Sequence, residues 1–155
     1  MSVLFLFSPT DEFKLRVPER AVGADRGKDV TLSCYLSPKT SAVAMTIRWF
    51  KQTECIYLYK NGQVIEGRGY EGRVSLVTQE LKGGNVSLRL RDFKESDDGV
   101  YICQVTYGGQ KEEEAVFLWD RGKCSTATEH DYEHLYMNYD NTVSLSVQIQ
   151  LNFHM

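Results

Sequence analysis

Residues 95–105 read ESDDGVYICQV, two aspartates and a glycine followed by a run in which Tyr101, Cys103 and Val105 recur at every second position. Period two is the repeat of a strand with one buried face, and the Asp-Asp-Gly that leads into it suits a tight corner. Such a strand needs partners to pair with and an apolar layer to pack against.

From Phe13 onward the sequence breaks into short alternating runs separated by turn residues, which predicts strands over 13–17, 28–36, 45–51, 56–60, 73–77, 85–91, 99–107 and 114–119. Between them lie SPKTS, KNGQ, GRGYEG and LKGGN, rich in residues that tolerate turns. Helical periodicity is nearly absent. Alternation assigns Val30, Leu32 and Cys34 to one buried face, and likewise Ile47 with Trp49, Val74 with Leu76, and Val86 with Leu88 and Leu90. The opposite faces carry Thr31, Ser33, Arg48, Ser87, Arg89, Gln104 and Thr106, as sheets with one wet side require. Two such sheets stacked apolar side inward form a sandwich.

Cys34 and Cys103 lie 69 positions apart on inward-facing positions, with Trp49 fifteen residues after the first, and this is the immunoglobulin spacing. Tyr101, two residues before Cys103, fits a tyrosine corner whose hydroxyl bonds back to upstream backbone, with Gly99 giving room there. Asp97 is expected to reach Arg73 at the start of RVSLV and to form a partly shielded ion pair. Residues 13–119 therefore resemble a variable-type (V-set) immunoglobulin domain, an all-β two-sheet sandwich with Greek-key topology. The runs LYKNGQ, YEGRVSL and GNVSLRLRDFKESDDGVYIC are similar to the first domain of butyrophilins and of myelin oligodendrocyte glycoprotein. VFLWDRG lacks the Phe-Gly-x-Gly bulge of antigen-receptor variable domains, which argues against an antibody or T-cell receptor.

The resemblance implies a bridge between Cys34 and Cys103, and Trp49 packed over it as a core residue with Tyr101, Arg73 and Asp97 as structural supports. It also implies an extracellular, non-enzymatic module of cell surfaces that binds a protein receptor and regulates T-cell responses. The alternative is an adhesion or innate pattern-recognition domain that takes carbohydrate or lipid in its tip loops, SPKTSAVA (37–44) and YGGQKEEE (107–114). For the protein-binding reading, Phe50, Tyr57, Tyr59, Ile102 and Gln104 are expected to project from one sheet face. Glu112 to Glu114 read first as a solvated strand edge. Asn85-Val86-Ser87 is a candidate glycosylation site. Cys55 and Cys124 could bridge each other, pair with another chain in a dimer, or stay free.

Composition narrows the field from the other side. A chain of 155 residues with 42% hydrophobic content holds one core and an appendage, and a net charge of −3 without any basic run excludes nucleic acid as the expected partner. No catalytic arrangement stands out from the fold, and neither a metal nor a cofactor is expected; His130 and His134 lack the adjacent glutamate of a zinc-protease helix. Residues 1–12, with MSVLFLF, form an N-terminal segment that could be a signal remnant, an atypical start or a short edge strand. Residues 120–155 are expected to be a poorly ordered tail in which Tyr132, Tyr136 and Tyr139 resemble phosphotyrosine docking motifs and VSLSVQIQLNF alternates like an unpaired strand. No run approaches the ~18 apolar residues of a membrane span, so the expected location is the cell surface through an anchor beyond this sequence, or secretion.

Overall fold

The computed structural model describes residues 12–123. Its eleven strands are β1 (Lys14–Arg16), β2 (Ala21–Ala24), β3 (Val30–Leu32), β4 (Tyr35–Ser37), β5 (Thr46–Lys51), β6 (Glu54–Lys60), β7 (Gln63–Glu66), β8 (Val74–Leu76), β9 (Leu88–Leu90), β10 (Gly99–Tyr107) and β11 (Gln110–Asp120). A six-stranded sheet in the order β2-β11-β10-β5-β6-β7 faces a three-stranded sheet β3-β9-β8, and β1 pairs with β4 alongside. This is the two-sheet immunoglobulin V-set sandwich. Residues 1–11 of the N-terminal segment, Cys124 and the tail motifs lie outside the described residues.

The core forms where alternation places it. Leu32, Cys34, Ile47, Trp49, Val86, Leu88, Leu90, Tyr101, Cys103 and Val105 are essentially inaccessible to water, while Val30 is half-buried at the margin. Each aliphatic residue of that set contributes roughly 1.5–3 kcal/mol by leaving water. Buried Trp49 also satisfies its indole N–H, which donates to the Val86 carbonyl at 2.9 Å.

Several departures from the expected strands have physical causes. The predicted 28–36 run is two strands, because β3 pairs with β9 whereas β4 turns to pair with β1. Strand β2 runs parallel to β11 and was invisible as an alternating pattern, since AVGA is short and its residues are small. Pro18 precedes it; lacking an N–H, proline cannot extend the β1 ladder, and the chain crosses to the other sheet there. Strand β7 is the partner announced by KNGQ, where Asn61 (φ 52°) and Gly62 (φ 75°) form the two-residue hairpin turn favoured by Asn-Gly.

Strand β11 also begins earlier than expected and continues through Asp120, so the expected third loop 107–114 is mostly strand around a Gly108-Gly109 turn. Its last residue is tied down. Asp120 accepts from Arg26 Nε at 2.8 Å and from the Gly122 N–H at 2.9 Å. Burial alone would push this carboxyl up, but the Arg26 hydrogen bond, the Gly122 N–H and the neighbouring positive charges together hold it below the ordinary carboxylate range. A depressed folded pKa stabilises above the unfolded value and is lost as pH falls through the folded one. The stability gap between wild type and Asp120→Asn, followed by urea unfolding, is therefore expected to be largest at neutral pH and to close in acid. A gap that does not change with pH would show that the carboxylate charge is not what Asp120 contributes.

Candidate functional site

The outward side of the six-stranded sheet carries a second apolar cluster, separate from the core. Register places Ile102 beside Phe50 on β5 and beside Ala115 on β11, with Val100 beside Phe117. Val100 and Ile102 are buried beneath Phe50, Ala115 and Phe117, which are themselves half-buried. In the next row Arg48 Nη1 donates to Gln104 Oε1 at 3.4 Å, and Gln104 Nε2 donates to Glu113 Oε1 at 2.7 Å. This polar bridge covers Gln104, which faces outward yet is only 3% exposed. Leu58 on β6 and Ile65 on β7 continue the row towards the sheet edge, and Ile65 is 63% exposed.

Of the residues expected on this face, Phe50, Ile102 and Gln104 are on it and Tyr57 and Tyr59 are not. Both tyrosines point into the core, Tyr57 being 2% and Tyr59 5% exposed. The cause is a register shift in which Trp49 pairs with Tyr57 while Phe50 pairs with Cys55, leaving Ile56 as an extra residue on β6. One extra residue reverses the side on which the rest of a strand points. Tyr59 uses its hydroxyl to hold the first tip loop by donating to the Val43 carbonyl at 3.0 Å. The same shift puts exposed Cys55 on the outward face opposite Phe50, a position that parity before the bulge would have found.

The acidic run has structural partners. Glu112 meets Lys14 at 3.3 Å, Glu114 meets Arg20 at 3.0 Å, and Glu113 closes the Gln104 bridge. At the lower end Arg73 and Asp97 form an ion pair through both terminal guanidinium nitrogens, and the Asp97 carboxylate also accepts the Lys94 N–H at 2.8 Å. Tyr101 donates its hydroxyl to the Asp97 carbonyl, and Gly99, at φ 139°, makes the bend between them. Burial pushes the Tyr101 hydroxyl strongly upward, which keeps it a donor at any physiological pH.

Cys34 and Cys103 face each other across the sheets, both wholly buried and within side-chain hydrogen-bonding reach. Both are free cysteines in this structure. Packing sets where the sulfurs meet, whereas joining them is an oxidation that depends on the compartment. Burial and then the Cys34 contact push the Cys103 thiol well above its ordinary value. Among the described residues no group of acidic, histidine or cysteine side chains has the makings of a metal site, and no helix is long and apolar enough to cross a membrane.

A two-sheet sandwich with a buried Cys-Trp-Cys centre and a tyrosine corner defines a class, and the comparisons agree with it. The Immunoglobulin V-set domain family matches residues 17–120. The chain belongs to that family. It is similar to butyrophilin subfamily 1 member A1 of Bos taurus, 38% identical over 106 residues, which cover 65% of this chain and 20% of the relative. It is also similar to selection and upkeep of intraepithelial T-cells protein 1 of Macaca fascicularis, 39% identical over 119 residues covering 73% of this chain and 34% of the relative. The crystal structure of bovine butyrophilin superposes with a TM-score of 0.63 at 36% identity over 70% of this chain and 54% of that one. The human B7-H4 IgV-like domain shares the fold, with a TM-score of 0.61 at 22% identity over 70% of this chain and 96% of that one. The chain thus spans between a fifth and about a third of the curated relatives it matches. It contains a butyrophilin-like immunoglobulin V-set module.

Proposed function

We propose that this module works outside the cell, at the cell surface or released from it, and engages a protein receptor on T cells through the outward face of its six-stranded sheet. The apolar cluster of Phe50, Val100, Ile102, Ala115 and Phe117 around a satisfied polar bridge supports this most directly. A flat face with an apolar centre and paired polar groups beside it is the composition of a protein interface. The butyrophilin-like relatives, one of which carries intraepithelial T-cells in its name, favour an immune partner. In the oxidising compartment that this placement entails, Cys34 and Cys103 are joined.

The tip-loop alternative has less to work with. The third loop is reduced to a two-glycine turn, and Glu112 to Glu114 are strand residues with partners. Staining of primary T cells with the tetramerised chain tests the choice. Phe50→Ser and Ile65→Arg are each expected to weaken binding at least tenfold, about 1.4 kcal/mol. Tyr107→Ala, at the tip, is expected to leave it unchanged. Undiminished binding by the two face variants, with loss in the tip variant, would transfer the site to the loops.

A further inference from the structure

The opposite face of the sandwich carries a feature that the docking face does not use. On the outward side of β3, β9 and β4 lies a concavity of about 360 Å³, lined by Thr31, Tyr35, Val77, Glu80, Ser87 and Arg89, with Asn85 in its wall. Asn85 follows Gly84, whose φ of 83° ends a 3-10 turn over Thr78–Gly83, and a Cβ on Gly84 would lie 2.8 Å from the Thr40 carbonyl. The turn leads the chain into a single antiparallel bridge between Asn85 and Tyr35, so the two side chains are cross-strand neighbours. The Asn85 amide is already oriented. Its oxygen accepts the Ser87 N–H at 3.0 Å, and its nitrogen donates to the Glu80 carboxylate.

An amide nitrogen carries two hydrogens, and among the described residues only Glu80 takes one of them. The other marks where a substituent can be added without breaking either contact. Ser87, the third residue of the acceptor triplet, is by contrast buried, with its hydroxyl accepting the Cys34 N–H at 3.0 Å. An enzyme that must read that hydroxyl can do so only before β9 docks.

We propose that Asn85 carries an N-linked glycan, added before the domain folds, whose first N-acetylglucosamine lies in this concavity against the Tyr35 ring. The added sugar chain screens the three-stranded sheet and leaves the six-stranded sheet as the side open to a protein partner. In the transfer, the Asn85 amide nitrogen bonds to the anomeric carbon of a lipid-linked oligosaccharide diphosphate. The carbon–oxygen bond to the diphosphate breaks, the lipid diphosphate leaves with that electron pair, and the amide gives up one proton to a base. The proposal rests on the secretory placement above but not on the receptor face.

The test uses the full chain, sent into the secretory pathway of mammalian cells by an appended cleavable signal and recovered from whole culture. Peptide N-glycosidase in heavy-oxygen water is expected to shift its mobility and to leave a labelled aspartate at position 85. Asn85→Gln is expected to abolish the shift, and Ser87→Thr, which keeps the hydroxyl, to retain it. An unshifted, unlabelled wild-type chain would overturn the modification while leaving the receptor reading intact. Seating of the sugar is read from melting temperatures. Protein trimmed by an endoglycosidase to a single sugar is expected to melt a few degrees above both the fully deglycosylated protein and Asn85→Gln, and Tyr35→Ala to erase that gain. Equal melting of trimmed and sugar-free protein would refute the seat in the concavity.

Discussion

Asp97→Ala is expected to lower the unfolding free energy by about 3–5 kcal/mol, the cost of leaving one partner of a buried ion pair alone. Asp97 is 2% exposed and collects three separate duties: both guanidinium contacts of Arg73, the Lys94 N–H, and, through its carbonyl, the Tyr101 hydroxyl. Truncation removes the first two, and Arg73 keeps the Asp92 carbonyl at 3.0 Å and the Tyr70 ring, whose centroid lies 5.9 Å from the guanidinium. The guanidinium is then left at the mouth of the core without its paired carboxylate. Asp29→Ala is the control. Asp29 and Arg89 pair at 2.9 Å in the open, where such contacts are worth at most about 1 kcal/mol. Guanidinium chloride unfolding of the three proteins measures the contrast. If Asp97→Ala and Asp29→Ala cost the same, the lower-end pair is an ordinary surface contact and the corner does not depend on it.

Protein recovered from an oxidising compartment is expected to contain Cys34 and Cys103 as a single cystine, and its reduction to cost roughly 4 kcal/mol for a closed loop of about 70 residues in the chain-entropy account. Both sulfurs sit in the centre of the sandwich beside the fully buried Trp49, so the linkage needs little movement of the chain. Peptide mapping after alkylation under denaturing, non-reducing conditions reads the pairing. Wild type is compared oxidised and reduced, because replacing both cysteines would add cavity costs to the loss of the bond. Cys55 supplies an internal check. It is exposed on the outward face, so it should alkylate in the folded protein, whereas the central pair should not. Alkylation of residues 34 and 103 after denaturation alone would mean that the domain is held by packing without the bond.

Much of the architecture is legible residue by residue. Alternation through Leu88 and Leu90, or through Tyr101, Cys103 and Val105, marks a buried face because each side chain's direction follows from its neighbour two positions away. Cys34, Trp49 and Cys103 carry their meaning in their separations, and Asp97, Gly99 and Tyr101 form a corner within five residues. The candidate site was legible only in part. Phe50, Ile102 and Gln104 lie on β5 and β10, whose shared register is unbroken, and kept their expected side. Tyr57 and Tyr59 lie beyond the extra residue at Ile56 and lost it.

Local order along the chain therefore determined the sandwich, its core and its lower corner, since those depend on periods and spacings that the chain carries itself. Tertiary structure alone decided that β2 crosses to β11 in parallel, that Gln104 is covered by Arg48 and Glu113, that two tyrosines serve the core, and that Asn85 opens beside Tyr35. Each of these depends on which distant strand lies alongside and at what register. That is a property of pairs of segments, and no single segment encodes it.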